Sequence, residues 1–288
     1  MEFEDVYQTT LQSEAYAFNL KRDVIRVSGP DAESFLQGQM SQDIVQMNPG
    51  DSAWSFLLNP NGKISSWFRI SQISDSHFLL DVDEDFGEET VKRLFRFKLR
   101  VQCDIELEQW NWVAIRGSGA AKYQSLPNVD LIAASSDWPL VEGVDLIGAS
   151  IYAPEELTVQ ITQEFELLRI LNGVPRMGKE MDAETIPAET GLVERSVSFT
   201  KGCYTGQELV ARIDSRGNKV PKHLRILFSE YEITQGDSIT ISGENIGYVT
   251  SSCTTLSGAV GLAYISRKFK APIEATVGGL PVKVELLP

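Results

Sequence analysis

Apolar residues in the first hundred positions fall into short stretches, several of them alternating with polar ones and separated by turn-forming residues. Val24-Ile25-Arg26-Val27 predicts a strand, and Ser28-Gly29-Pro30-Asp31 a turn into a helix carrying Ala32, Phe35 and Leu36. Two more strands are predicted near Ala53–Leu58 and Lys63–Ile70, joined by Asn59-Pro60-Asn61-Gly62. Asn-Gly between apolar runs is a strong hairpin signal because both residues tolerate positive φ. His77–Val82 reads as a third strand, Glu88–Phe97 as a helix and Val101–Leu107 as a returning strand.

The same order of elements then restarts. Trp112-Val113-Ala114-Ile115 predicts a strand, Gly117-Ser118-Gly119 a turn and Ala120–Leu126 a short helix. Strands near Asp130–Ala134 and Val144–Tyr152 precede a helix over Glu155–Leu171, whose Ile161, Phe165, Leu168 and Leu171 recur at helical spacing. Residues Gly173 to Glu194 are punctuated by Pro and Gly, which in a compact domain marks a functional loop. From about Lys222 the pattern becomes short strands: Leu224–Phe228, Ser238–Ile241, Ile246–Ser252, Ala259–Ile265 and Val282–Leu286. That is a small all-β domain of barrel type. The chain thus divides into an α+β unit over 1–108, a second over 109–220 and a β-barrel over 221–288.

Length and composition fit this division. With 288 residues, two or three domains are the natural expectation, and 42% apolar with 23% charged residues is ordinary for a soluble globular protein. The acidic start Met1–Asp5 lacks the basic and apolar segments of a signal peptide, and no apolar run has membrane-spanning length, so a cytoplasmic location is expected. A net charge of −14 argues against a general nucleic-acid or membrane-surface binder. Lys92 to Arg100 is a local exception, with Lys92, Arg93, Arg96, Lys98 and Arg100 and no acid between them. Asp83, Glu84, Asp85, Glu88 and Glu89 precede it, an order that suits a solvated helix aligned with its own dipole. An anion or partner site is the competing reading.

Cys103, Cys203 and Cys253 show no metal-ligand spacing, and His77 and His223 are the only histidines. A multi-histidine metal site is therefore excluded, and no metal is expected. Arg116-Gly117-Ser118-Gly119-Ala120 follows a strand but lacks the third glycine of a dinucleotide fingerprint.

One octapeptide concentrates the chemistry: Lys201-Gly202-Cys203-Tyr204-Thr205-Gly206-Gln207-Glu208. Thr205 and Glu208 have capping-box spacing, and Leu209, Val210 and Ile213 suit the helix that would follow. Cys203 would then sit beside a helix N-terminus, where the macrodipole and the Lys201 ammonium both favour a thiolate. A buried structural thiol is the alternative, since free cysteine is among the most buried residue types. Arg212, Arg216 and Lys219 add positive charge that either holds a carboxylate or balances an acidic chain.

Lys201–Glu208, with Val210-Ala211-Arg212 and Arg216-Gly217, resembles the signature of the YgfZ family, folate-binding proteins involved in iron–sulfur enzyme maintenance. Gly29–Ala32 with Phe35–Gln39, Asn59–Lys63, Arg169–Gly173 with Pro175, Gly247–Ser251 and Gly261–Ala263 extend the likeness over nearly the whole chain. These other segments are shared with the wider aminomethyltransferase superfamily, the T-protein of glycine cleavage. The resemblance implies a T-protein-like α+β fold. Two ferredoxin-like units and a small C-terminal β-barrel would surround a central channel that binds tetrahydrofolate.

It further implies Cys203 as the working residue with Lys201 as its activator, and folate contacts from Asn59, Gly202, Tyr204, Gly206, Gln207, Glu208, Arg212 and Arg216. T-proteins carry an aspartate after the hairpin turn and a glutamate in the mid-chain helix-end motif; Ser65 and Ser66, and Leu171, stand there in this chain. A leucine cannot accept the pterin's N–H bonds, and each donor left unpaired costs about 1–3 kcal/mol. The resemblance therefore implies a folate-binding accessory protein whose partners are iron–sulfur client or assembly proteins. A folate-dependent aminomethyltransferase-like enzyme and a non-catalytic scaffold are the alternatives.

Overall fold

Thirteen consecutive residues, Tyr16–Ser28, form β1, the strand around which the larger sheet is organised. They do so in a computed structural model that describes residues 14–125, 128–255 and 257–288. The acidic start Met1–Asp5 and the end of the predicted helix at Leu126 lie outside the described residues. β1 pairs antiparallel over its whole length with β5 (Asp104–Arg116), from Tyr16 opposite Arg116 to Ser28 opposite Asp104. Its second half pairs with β4 (His77–Asp83). With β2 (Ser52–Leu58), β3 (Ile64–Ser74), β6 (Leu131–Ser135) and β7 (Gly143–Gly148), the order across the sheet is β2-β3-β4-β1-β5-β7-β6. A two-residue strand, β8 (Val159–Gln160), adds parallel to Ala17 and Phe18.

Alternation sorts the strand residues onto two faces. Ile25 and Val27 of β1, with Phe68, Ile70, Leu80 and Val82, pack under Phe35 and Leu36 of α1 (Ala32–Gln39) and Leu94 of α2 (Gly87–Phe97). The opposite face carries Phe18, Val24, Trp110 and Trp112 and is covered by Phe165 and Leu168 of α3 (Thr162–Leu171).

Two sequence expectations change here. Val101–Leu107 and Trp112–Ile115 are parts of one strand, β5, so the boundary expected at 108/109 falls inside it. Glu106, Glu108 and Gln109 look like a break, but backbone pairing with β1 runs straight through them. The helix predicted from Glu155 begins only at Thr162. The β-branched Val159 enters the sheet as β8, and Ile161 is an exposed, extended N-cap rather than part of the apolar face.

The second body is a closed barrel of β9 (Lys222–Ser229), β10 (Ser238–Ile241), β11 (Glu244–Thr255), β12 (Gly258–Ser266), β13 (Ile273–Val277) and β14 (Leu280–Glu285), in the order β10-β11-β12-β9-β14-β13. The expected barrel is present, with β13 as the strand that sequence periodicity did not mark. The two bodies meet through α3, whose Ile170 and Leu171 pack with Leu224, Ile226, Leu262 and Tyr264. Gly173 closes this helix at φ +63, with Leu287 and Pro288 against it.

Candidate functional site

Strand register builds a polar cleft on the α3 face of the sheet. Trp54, Arg69, Asp81 and Val24 stand directly opposite one another across β2, β3, β4 and β1. Two residues along, on the same face, come Trp67 of β3, Asp83 of β4 and Arg22 of β1. Trp112 and Arg116 of β5 and Asp145 of β7 complete the floor, and Trp138, Phe165, Arg169, Val174, Pro175 and Arg176 form the walls. The cleft encloses about 410 Å³, its open mouth included.

Its charges are buried and interlocked. Asp81 accepts from Arg22 at 2.9 Å and from Arg69 at 3.0 Å; Asp145 accepts from Arg69 at 3.1 Å, Arg116 at 2.8 Å and the Trp112 indole at 2.9 Å. Asp83 accepts from Arg22 and from the Met177 backbone N–H. Burial alone would raise the Asp145 pKa, but Arg116 and Arg69 hold it below the ordinary carboxylate range. Burial pulls the Arg116 guanidinium below its usual value, and Asp145 only partly offsets this. The Arg116 Nε is buried without a hydrogen-bond partner.

The aromatic walls are ordered by the same contacts. Trp54 and Trp67 stack with centroids 4.1 Å apart and planes 13° from parallel. Their indole N–H groups reach Asp137 and Ser196, and the Arg116 guanidinium lies 4.2 Å from the Trp138 ring centroid. Sequence reasoning missed this constellation. Its signal was present: Arg69, Asp81, Asp83, Arg116 and Asp145 are charges set inside otherwise apolar strands, where a charge needs a partner.

The octapeptide lies elsewhere, and none of its residues lines the cleft. Lys201 is buried, and its ammonium donates to the Gln37, Met40 and Gln42 carbonyls at 2.8, 2.8 and 2.7 Å. Its three protons thus cap the carboxyl end of α1, where the helix dipole favours a cation. Burial lowers its pKa to about 8, against a smaller opposing effect of Asp43.

The expected capping box does not form. The next helix, after the four-residue α4 (Val193–Ser196), is α5 (Gln207–Ser215), and its N-cap is Gly206 in the left-handed region. Thr205 instead donates to Gln39 Oε1 at 3.5 Å. Cys203 therefore precedes the helix by a full turn of chain; it is exposed, as are Gly202, Glu208, Arg212 and Arg216, while Gln207 is half-buried.

Tyr204 points inward. Burial raises its pKa to about 12, and it joins a core containing Trp54, Trp67 and Val210. Tyr204 thus ties the exposed thiol loop to the same apolar cluster as the aromatic wall of the cleft. Asn59 belongs to the hairpin against which the loop packs, and of the two turn residues only Gly62 takes positive φ, at +78. A Cβ on Gly62 would lie 2.4 Å from Leu209 Cβ, and one on Gly206 would lie 2.6 Å from the Asn59 carbonyl. Gly62→Ala is expected to cost about 3 kcal/mol, from overpacking together with backbone strain. Gly119→Ala, at φ +81 with open space around it, should cost only the backbone part. Urea unfolding of the two variants separates the contributions.

Ser66 and Leu171 face away from the cleft: Ser66 accepts from Thr90 Oγ1, and Leu171 packs on the barrel. The carboxylates that line the cleft are instead Asp81 and Asp83 of β4 and Asp145 of β7. The Gly117–Gly119 turn offers no free phosphate cradle, since Glu142 accepts from the Gly119 and Ala121 amides at 2.8 and 3.2 Å.

Comparison with known proteins adds three findings. The chain is 28% identical over 237 residues to the tRNA-modifying protein YgfZ of Aliivibrio fischeri, covering 77% of this chain and 74% of that one. It is 28% identical over 231 residues to a mitochondrial iron–sulfur cluster assembly factor homologue of Neurospora crassa, covering 68% of this chain and 49% of that one. These relatives support a place for the chain in the YgfZ family. Its fold is that of an aminomethyltransferase. The crystal structure of glycine cleavage system aminomethyltransferase T from Bartonella henselae superposes with a TM-score of 0.84 at 18% identity, over 98% of this chain and 88% of that one. No family model matches.

Proposed function

We propose that this protein is a tetrahydrofolate-binding accessory factor for the assembly or repair of iron–sulfur enzymes, acting in the cytoplasm through Cys203. The observation that carries the folate part is the cleft, in which aromatic walls stand over buried arginines and aspartates in an aminomethyltransferase-like fold. A pterin is a flat ring edged with hydrogen-bonding groups, and its glutamate tail is anionic. Trp67 and Trp138 offer faces for the ring, and Asp83, whose two carboxylate oxygens each accept one bond from the chain, keeps a lone pair on each for the ring's N–H groups. The unpartnered Arg116 Nε is a donor awaiting an acceptor, and the half-buried Arg176 is a cation for the tail. Tetrahydrofolate, when bound, carries one-carbon units. The cleft would be the mouth of a central channel between two ferredoxin-like halves and the barrel.

The iron–sulfur part rests on the relatives, named as a YgfZ protein and as a cluster assembly factor. On this reading the exposed Cys203 is the thiol presented to an iron–sulfur client, while Lys201 and Gly206 shape the loop that presents it. Proton transfer by the cleft aspartates is less favoured, because every carboxylate oxygen of Asp81, Asp83 and Asp145 already accepts a bond from the chain itself. Among the described residues no helix is long and apolar enough to cross a membrane.

Anaerobic calorimetry with tetrahydrofolate tests the proposal. Micromolar binding, about −8 kcal/mol, is expected for the wild type and for Cys203→Ser. Trp67→Ala should weaken it at least tenfold. In cells lacking the protein, Cys203→Ser should fail to restore iron–sulfur enzyme activity. Absence of saturable binding by the wild type would sink the folate reading, and full restoration by Cys203→Ser would sink the role of the thiol.

A further inference from the structure

The basic stretch Lys92–Arg100 has no part in the cleft or in the thiol loop. Within it Arg93 is buried and Lys92 pairs with Glu88 at 3.0 Å, whereas Arg96, Lys98 and Arg100 make no ion pair among the described residues. Phe95 is 49% exposed and Leu99 79% exposed. Arg100 holds φ +59, the left-handed region that few non-glycine residues occupy. In a chain of net charge −14, this is a local reversal of sign with two large apolar side chains at its centre.

Hydrogen bonds fix where this patch lies. Arg93 donates to Gln39 Oε1 at 3.2 Å and to the Leu58 carbonyl at 2.7 Å. Thr205, two residues from Cys203, donates to the same Gln39 oxygen, and Gly206 packs on Leu58. Arg93 and the thiol loop thus meet at the carboxyl end of α1, and the patch that follows Arg93 runs back beside α1 to Gln102, whose amide donates to Asp31 at the amino end of that helix.

We propose that residues 95–100 form a docking face for a protein partner that presents an acidic surface with an apolar side chain, seating that partner along α1, the eight-residue helix whose carboxyl end carries the Cys203 loop. The inference rests on the iron–sulfur accessory reading and names the chemistry of the client's surface. Charge complementarity selects an acidic partner, and the exposed Phe95 and Leu99 select a protein. A polyanionic nucleic acid or an anionic membrane would be repelled by the rest of the chain, and three unpaired cations are few for tracking phosphates.

The test uses the full chain, with R96E/R100E and Leu99→Ser as variants that touch neither cleft nor thiol. A fluorescent amphipathic peptide of Glu, Ala and Leu is titrated by anisotropy, with bulk transfer RNA and phosphatidylglycerol vesicles in parallel. The peptide is expected to bind the wild type, more weakly at high salt, and at least tenfold more weakly to either variant. The variants should bind tetrahydrofolate normally yet fail to restore iron–sulfur enzyme activity in cells. Peptide binding that is absent or indifferent to both variants overturns the docking face. So does binding of transfer RNA or vesicles that the variants abolish, which would reassign the patch. A wild type that does not bind folate would instead overturn the accessory reading, leaving the peptide titration to judge the patch by itself.

Discussion

Replacing Arg169 by methionine is expected to destabilise the protein by about 3–5 kcal/mol, the usual cost of breaking a buried ion pair from one side. Its guanidinium is almost wholly buried and donates to Glu166 at 3.0 Å, Glu180 at 3.1 Å, Ser251 Oγ at 2.8 Å and the Val174 carbonyl at 2.6 Å. Those partners lie on α3 itself, on the 173–194 loop and on the barrel strand β11. Methionine would leave Glu180, equally buried, with a charge and no cation. Urea unfolding measures the loss, and the midpoint of a thermal scan should fall by roughly 10 °C. Adding Glu180→Gln should recover part of it, because the orphaned charge is then removed. A loss below about 1 kcal/mol in the single variant would show that the network does not join the two bodies.

The second large effect is a loss of stability in acid that traces to Glu166. Burial alone would raise its pKa, but Arg169, Arg176 and Lys179 bring it down to about 2 from an ordinary 4.5. A carboxylate depressed in the folded state binds fewer protons there than in the unfolded chain between those two values. Its contribution, about 3 kcal/mol, is therefore complete above pH 4.5 and disappears as pH falls towards 2. Glu166→Gln should flatten the stability profile across that window while lowering stability at neutral pH. An unchanged acid limb in the variant would assign the acid sensitivity to other carboxylates.

Sequence periodicity made most of the fold legible because most strands bury one face and most helices one stripe. The Asn59–Gly62 hairpin, α1, α2 and the barrel follow directly from those patterns. It failed where pairing overrode composition: the polar middle of β5 is held by β1, and β8 captures residues that have helical spacing. The thiol loop was found as a motif, but the partners of its lysine were not legible in it. Spacing shows that Lys201 is near Cys203 but not that three carbonyls at and just past the end of a distant helix would accept its protons. The cleft was missed for the opposite reason, since its charges lie far apart in the chain and only strand register brings them together. Arg69 and Asp145, 76 positions apart, meet at 3.1 Å.

The continuity of β5 has a bearing on modularity. A strand that crosses the expected midpoint of the sheet, paired residue for residue with β1, leaves no linker between the halves. Cutting the chain at 108/109 would sever a strand and expose unpaired backbone on both fragments, so neither half is an exchangeable part. The seam available to recombination, to insertion or to relative motion is the one between the sheet and the barrel, where α3 and its arginine hold the two together.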